Sequence, residues 1–261
     1  DDPTGTQTVH DLPVLTEWSV TTLAATLSDP AVSCFYILTN SRSLPAAAAN
    51  KLAEEIGAAL REAGEQTAVS FDVVSRSDST LRGHFPNEVT ALANGLRQSF
   101  DGWLLIPFFE EGGRFTINNT HYVAEGEQLI PAGDTPFARD HSFGYRESEL
   151  RHWVAEKTDG NVSAESVETI SIAELRCEDC TAVVQKLLGL NNGAVCVVNA
   201  ASYADLERFV LALLVAEAEG KRFLYRTAAS FVRVRAGLEK RPLLPTNELR
   251  QTGSIFGGLV V

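Results

Sequence analysis

Short continuous apolar runs alternate along this chain with longer stretches in which apolar positions recur every three to four residues. The runs Ser33–Leu38, Thr67–Val74, Gly102–Pro107, Val167–Ile172, Ala194–Asn199 and Arg222–Tyr225 predict strands. Helical spacing predicts helices over Pro45 to about Ala63, Pro86–Arg97, Ser148–Lys157, Ala173–Leu188, Tyr203–Glu219 and Ala228–Leu238. Pro45 stands in the first turn, where its missing N–H costs nothing. Residues Thr116–Gln128 alternate around a Glu125-Gly126 turn and predict a hairpin excursion. Residues Pro131–Glu147 read as a polar connector, and everything before Ser33 reads as an opening loop. Strands that are apolar throughout must be covered on both faces. The expected fold is therefore α/β, a three-layer α/β/α arrangement around a mainly parallel sheet, plus the small hairpin.

Polar clusters follow the predicted strands: Thr39-Asn40-Ser41-Arg42, Ser75 to His84, Glu110 to Arg114, Asn199 to Ser202, and Arg226-Thr227. In open α/β sheets, ligands bind at the carboxyl ends of the strands, so these clusters are expected to converge on one rim. The richest is Ser75-Arg76-Ser77-Asp78-Ser79-Thr80-Leu81-Arg82-Gly83-His84. A loop built only to reverse the chain needs Gly, Asn or Pro, not two guanidiniums beside so many hydroxyls. Arginine forks with hydroxyls and free backbone N–H groups suit carboxylate or phosphate oxyanions. The segment points to a small anionic ligand; its structural reading is a helix entry with Arg82 ion-paired to Asp78.

The bulk numbers narrow the partners. A chain of 261 residues with 44% apolar content buries a real core. The net charge of −12 argues against a general nucleic-acid or anionic-membrane binder, though not against a local basic pocket. The longest apolar stretch, Phe209–Ala216, is too short to span a bilayer. Cys34 and Cys196 lie in apolar runs and read as buried hydrophobes. Cys177 and Cys180 form a lone CxxC with no second pair to complete a metal site. A reduced, cytoplasmic protein is the expectation.

The remaining clusters have both structural and functional readings. Asp1 and Asp2, with Thr4 and Gly5 opening a turn, offer a carboxylate for a substrate hydroxyl or a general base, or simply a capped turn. Ser43 is placed to cap the Pro45 helix while Arg42 clamps an anion. Gly112 and Gly113 allow close backbone approach, and Arg114 would join the rim. His84 is placed better for chemistry than His121, which sits in an alternating strand and reads as structural. No phosphate-loop or dinucleotide fingerprint occurs.

In order, Asp-Asp-Pro-Thr-Gly, Thr-Asn-Ser-Arg, Ser-Asp-Ser-Thr-Leu-Arg-Gly-His and Gly-Gly-Arg-x-Thr resemble the four-carbon acid sugar kinase family. Phe137-Ala138-Arg139-Asp140, Phe143-Gly144-Tyr145 and Arg226-Thr227-Ala228-Ala229-Ser230 extend the likeness past Ala236. Pro3 departs from the leucine of many relatives, which leaves the particular substrate open. The resemblance implies an ATP-dependent kinase acting on a hydroxyl of a threonate- or erythronate-like acid. This chain would be its substrate-binding part, with ATP and Mg²⁺ bound mainly by a carboxy-terminal domain. It implies a sugar-acid-binding domain over residues 1–240, then a linker and the first strand of the nucleotide domain over 241–261. The chain accordingly reads as an excerpt of a longer protein, with elements missing at both ends; a homodimer is left open. As catalytic candidates it puts forward Asp2 and Asp78. As substrate-binding candidates it puts forward Asp1, Thr4, Asn40, Arg42, Arg76, Ser77, Ser79, Thr80, Arg82, Gly83, His84, Gly113 and Arg114. A non-catalytic sugar-acid sensor is the alternative.

Overall fold

The computed structural model describes residue 1 and residues 6–242. The elements run β1 (Val14–Leu15), α1 (Val20–Ser28), β2 (Tyr36–Ile37), α2 (Ala46–Thr67), β3 (Val74–Arg76), α3 (Asn87–Leu96) and β4 (Gly102–Ile106). Next come β5 (Arg114–Ile117), β6 (Thr120–Glu125), β7 (Gln128–Pro131), α4 (Leu150–Lys157), β8 (Glu168–Ile170) and α5 (Ile172–Leu175). The described chain ends with α6 (Thr181–Gly189), β9 (Ala194–Val198), α7 (Tyr203–Ala218), β10 (Phe223–Thr227) and α8 (Ala229–Arg235).

Five strands form one parallel sheet in the order β3-β10-β4-β9-β8. Successive residues of its strands feed opposite faces, as the period of two requires. Leu105, Val195, Val197 and Leu224 join a core under α1, α2, α3 and α4. Leu104, Ile106, Cys196, Val198, Phe223 and Tyr225 join a second core under α6, α7 and α8. The result is the expected three-layer α/β/α arrangement. On one face α2 and α3 cross at backbone contact. A Cβ on Gly57 would stand 2.6 Å from the Leu92 carbonyl oxygen, and one on Gly95 would stand 2.1 Å from that of Glu54.

Several elements differ from the sequence reading. The opening loop contains α1, because Ser19 caps it (Thr22 N donates to Ser19 Oγ, 3.2 Å) and Leu23 is buried against α2. Val20, Leu23, Ala24 and Leu27 do carry the helical spacing, but threonines dilute it. The predicted Ala173–Leu188 helix breaks into α5 and α6, and Asp179 accepts a bond from Thr181 N at the restart. Ser43 does not cap α2; its hydroxyl donates to Asn40 O, and Pro45 stands just outside the helix. The hairpin gains a third strand, giving the antiparallel sheet β5-β6-β7. The two strands predicted over Ser33–Leu38 and Thr67–Val74 shrink to β2 and β3. β2 pairs with β1 in a separate parallel ribbon.

No helix among the described residues is long and apolar enough to cross a membrane.

Candidate functional site

The carboxyl ends of β3, β4 and β10 meet at one rim, and the small sheet β5-β6-β7 lies beside it. Thr116 of β5 exchanges two 3.0 Å backbone hydrogen bonds with Ala200, just past β9. The loop after β3 enters through Ser77 N, which donates to Thr227 O at 2.7 Å. It then winds through Leu81, fully buried at φ 68°, and Gly83 at φ 115°, a left-handed path that favours glycine. Two buried side chains hold its carbonyls from behind. His121 Nε2 bonds Ser79 O at 2.7 Å and Tyr145 Oη donates to Thr80 O at 2.7 Å. Arg226 Nη2 donates to Arg82 O at 3.0 Å. The Arg226 guanidinium lies over the rings of Phe85 and Trp153, at 5.3 and 5.2 Å from their centroids. Burial lowers Arg226 to about 10, so it is still a cation at neutral pH.

In front of the loop lies a cavity of about 220 Å³ lined by Gln7, Arg76, Asp78, Ser79, Thr80, Arg82, Phe109, Arg114 and Phe137. Asp78 organises its charges. One oxygen accepts from Thr80 N (3.2 Å), from the Thr80 hydroxyl and from Arg82 Nε (3.0 Å). The other pairs with Arg42 Nη1 at 3.0 Å. Burial pushes the Asp78 carboxyl up, but the bonds from Arg82 and Thr80 and the charges of Arg82 and Arg42 outweigh it, so the net direction is down. Arg82 reaches Asp140 at 3.6 Å, and its guanidinium lies 5.1 Å from the centre of the Phe137 ring. Arg114 covers the same ring at 5.6 Å and donates to Gly112 O. Burial lowers Arg114, and the charge of Arg82 adds to this against the attraction of Asp78. Its Nε is buried without a hydrogen-bond partner among the described residues. Asp1 closes the floor. Its Oδ2 accepts from Asp78 N at 3.0 Å, and its Oδ1 stands 3.4 Å from Arg76 Nη1.

The structure thus brings Arg76, Asp78, Ser79, Thr80, Arg82 and Arg114 to one cavity, with Asp1 and Arg42 behind it through ion pairs. Ser77 is buried at the loop entry. Asn40 (φ 49°), Gly83 and Gly113 (φ 69°) serve backbone turns outside the cavity lining. His84 turns away: its Nε2 meets Leu44 O at 3.0 Å and its ring packs edge-on against Phe143. Asp2 and Thr4 lie outside the described residues. Gln7, Phe109, Phe137 and Asp140 went unread as site residues. They come from segments distant in sequence, and only the Phe137-Ala138-Arg139-Asp140 match hinted at two of them.

The model of the sugar-binding N-terminal domain family matches residues 1–235. The chain belongs to that family. It is the amino-terminal domain of the four-carbon acid sugar kinase family, as the motif resemblance implied. No curated protein matches the chain. Three solved structures share the fold of this sugar-binding domain. A DUF1537 protein of Bordetella bronchiseptica, crystallised with bound citrate as a domain-swapped dimer, is 23% identical with a TM-score of 0.64. That match covers 90% of this chain and 54% of that one. A DUF1537-family protein of Haemophilus influenzae is 16% identical, with a TM-score of 0.58 and coverage of 88% and 57%. A Salmonella typhimurium LT2 protein provisionally named a tRNA synthase is 16% identical, with a TM-score of 0.58 and coverage of 87% and 56%. The chain spans a little over half the length of these solved relatives.

Proposed function

We propose that this sugar-binding domain holds a four-carbon sugar acid of the threonate or erythronate type and presents one of its hydroxyls for phosphorylation. The observation that carries the reading is the cavity's charge arrangement. Arg76, Arg82 and Arg114 line the cavity together, and among the described residues the buried Nε of Arg114 has no hydrogen-bond partner. A carboxylate would suit these guanidiniums and take that donor. The Ser79 and Thr80 hydroxyls line the same cavity and suit the acid's own hydroxyls. Phe109 and Phe137 give it an apolar wall. The citrate held by the Bordetella relative supports a small polar acid as ligand, and its swapped dimer supports a homodimer.

The kinase half of the proposal rests on the family. Among the described residues no group of three His, Cys, Asp or Glu side chains could hold a metal ion. Both oxygens of Asp78 are already engaged by arginine and threonine. By the family resemblance, ATP and Mg²⁺ would be bound mainly by a carboxy-terminal domain. Here Asp78 fixes the arginines rather than taking the proton. Phosphoryl transfer depends mainly on positioning and charge neutralisation, so that role is sufficient.

Calorimetry tests the binding reading. Threonate or erythronate should bind, while the uncharged tetrols threitol and erythritol should not. Arg114→Ala should weaken acid binding by at least about tenfold, roughly one charge-assisted hydrogen bond. Equal binding of acid and tetrol would refute the carboxylate assignment. In the complete protein, acid-dependent ADP release from Mg-ATP would support the kinase; binding without release would favour a sensor.

A further inference from the structure

Phe137 is a large apolar ring kept out of the apolar core. It is half-buried and belongs to neither of the two clusters that sandwich the large sheet. What it meets instead is positive charge. The Arg82 and Arg114 guanidiniums lie over this one ring, 5.1 and 5.6 Å from its centre, and all three side chains line the cavity of about 220 Å³. A guanidinium within about 6 Å of a ring centre is attracted by the negative face of the ring. The two arginines depend on that attraction unequally. Arg82 is already fixed by carboxylates: its Nε donates to Asp78 at 3.0 Å, and its Nη1 stands 3.6 Å from Asp140. Arg114 forms no ion pair among the described residues. Its side chain donates to Gly112 O in its own turn, its buried Nε has no partner among the described residues, and the charge of Arg82 repels it.

The backbone under the ring is held by its neighbours. Pro136–Arg139 form a short 3₁₀ turn in which Asp140 N donates to Phe137 O at 3.3 Å. Ala138 is buried, and its carbonyl accepts from Tyr145 N at 3.0 Å. The chain doubles back so tightly here that a Cβ on Gly144 would stand 2.8 Å from Asp140 O. The Asp140 carboxylate accepts from Ser142 N and Phe143 N at 2.9 and 3.1 Å, and Tyr145 Oη fastens the fold-back to Thr80 O of the anion loop. Position 137 is therefore set against the cavity whichever side chain it carries.

We propose that Phe137 is a positioning residue: its ring holds the Arg114 guanidinium at the cavity, beside Arg82, ready for an anion. A carboxylate in its place would hold Arg114 as firmly, but it would also neutralise the charge that an incoming acid needs. A ring attracts the cation and leaves its charge and its N–H donors available. The inference rests on the acid-binding reading for what Arg114 recognises, and not for how Phe137 holds it.

Nitrogen relaxation of the arginine side chains in the acid-free protein tests the hold. The Arg114 Nε–H bond should be ordered in the native protein and in Phe137→Tyr. In Phe137→Leu its order parameter should fall below about 0.6, the flexible range. Arg226, stacked on Phe85 and Trp153, should stay ordered in all three and serves as the control for intact folding. Equal order of Arg114 in the native and leucine proteins would overturn the proposal. Calorimetry with threonate and erythronate then reads the consequence. Phe137→Leu should weaken binding by about fivefold and Phe137→Tyr by less than about twofold. In an Arg114→Ala background, with no guanidinium left to hold, Phe137→Leu should weaken it by less than about twofold. The same fivefold loss in both backgrounds would make the ring a plain wall and overturn the positioning role. If the native protein bound neither acid, the proposed ligand would fall, and the relaxation measurement would still decide the role of Phe137.

Discussion

His121 shows how burial sets protonation behind the anion loop. It is fully buried, and burial above all lowers it from 6.5 to about 4. Its Nε2 bonds a carbonyl, so that nitrogen carries the proton, and Nδ1 accepts from the Thr116 hydroxyl at 3.0 Å. The unfolded chain takes up a proton near pH 6.5, whereas the folded chain resists until about pH 4. The stabilisation is therefore complete above pH 6.5 and is lost as pH falls through the window toward 4. The loss across it is about 3 kcal/mol. His121→Asn keeps an amide donor but does not titrate. Denaturation at pH 4 to 7 should show a flatter pH dependence for the variant, and an unchanged slope would place the titration elsewhere.

At the level of elements, the small sheet is fastened to the large one by Asn199. Its Oδ1 accepts from Asn119 N at 2.7 Å, and its Nδ2 donates to Asn119 Oδ1 (2.8 Å) and Ile170 O (2.9 Å). Asn199→Ala should cost about 2–3 kcal/mol, because it leaves buried partners unpaired. A loss below about 0.5 kcal/mol, the scale of an ordinary surface substitution, would show that the fastening lies elsewhere. The same elements show what the pattern of apolar positions reveals. β4, β9 and β10 are legible because their partners flank them on both edges, so burial and apolar sequence coincide. Ser33–Leu38 and Thr67–Val74 read equally well as strands, yet a ladder needs a neighbour as well as a sequence, and each has an open edge. Within the site, Arg76, Asp78, Thr80 and Arg82 are legible because one loop carries them. Phe109 and Phe137 are not, since only the folded rim brings them opposite that loop. His84 misleads for the same reason: its place in the motif says nothing of the Leu44 carbonyl that claims it.

For the whole molecule, the sheet order decides when the site exists. β10, late in the sequence, lies between β3 and β4, and its Arg226 and Thr227 hold both ends of the anion loop. A ribosome that has released β3, β4 and the small sheet has made nearly every residue of the cavity but neither of those clamps. The nascent chain then carries a gap at the middle of its sheet, open to chaperones and to other strands until β10 emerges and inserts. Stalled chains ending before Phe223 should therefore be digested readily by protease, and chains ending beyond Arg235 should resist. Binding competence would arrive in a single late event of synthesis, not by stepwise growth.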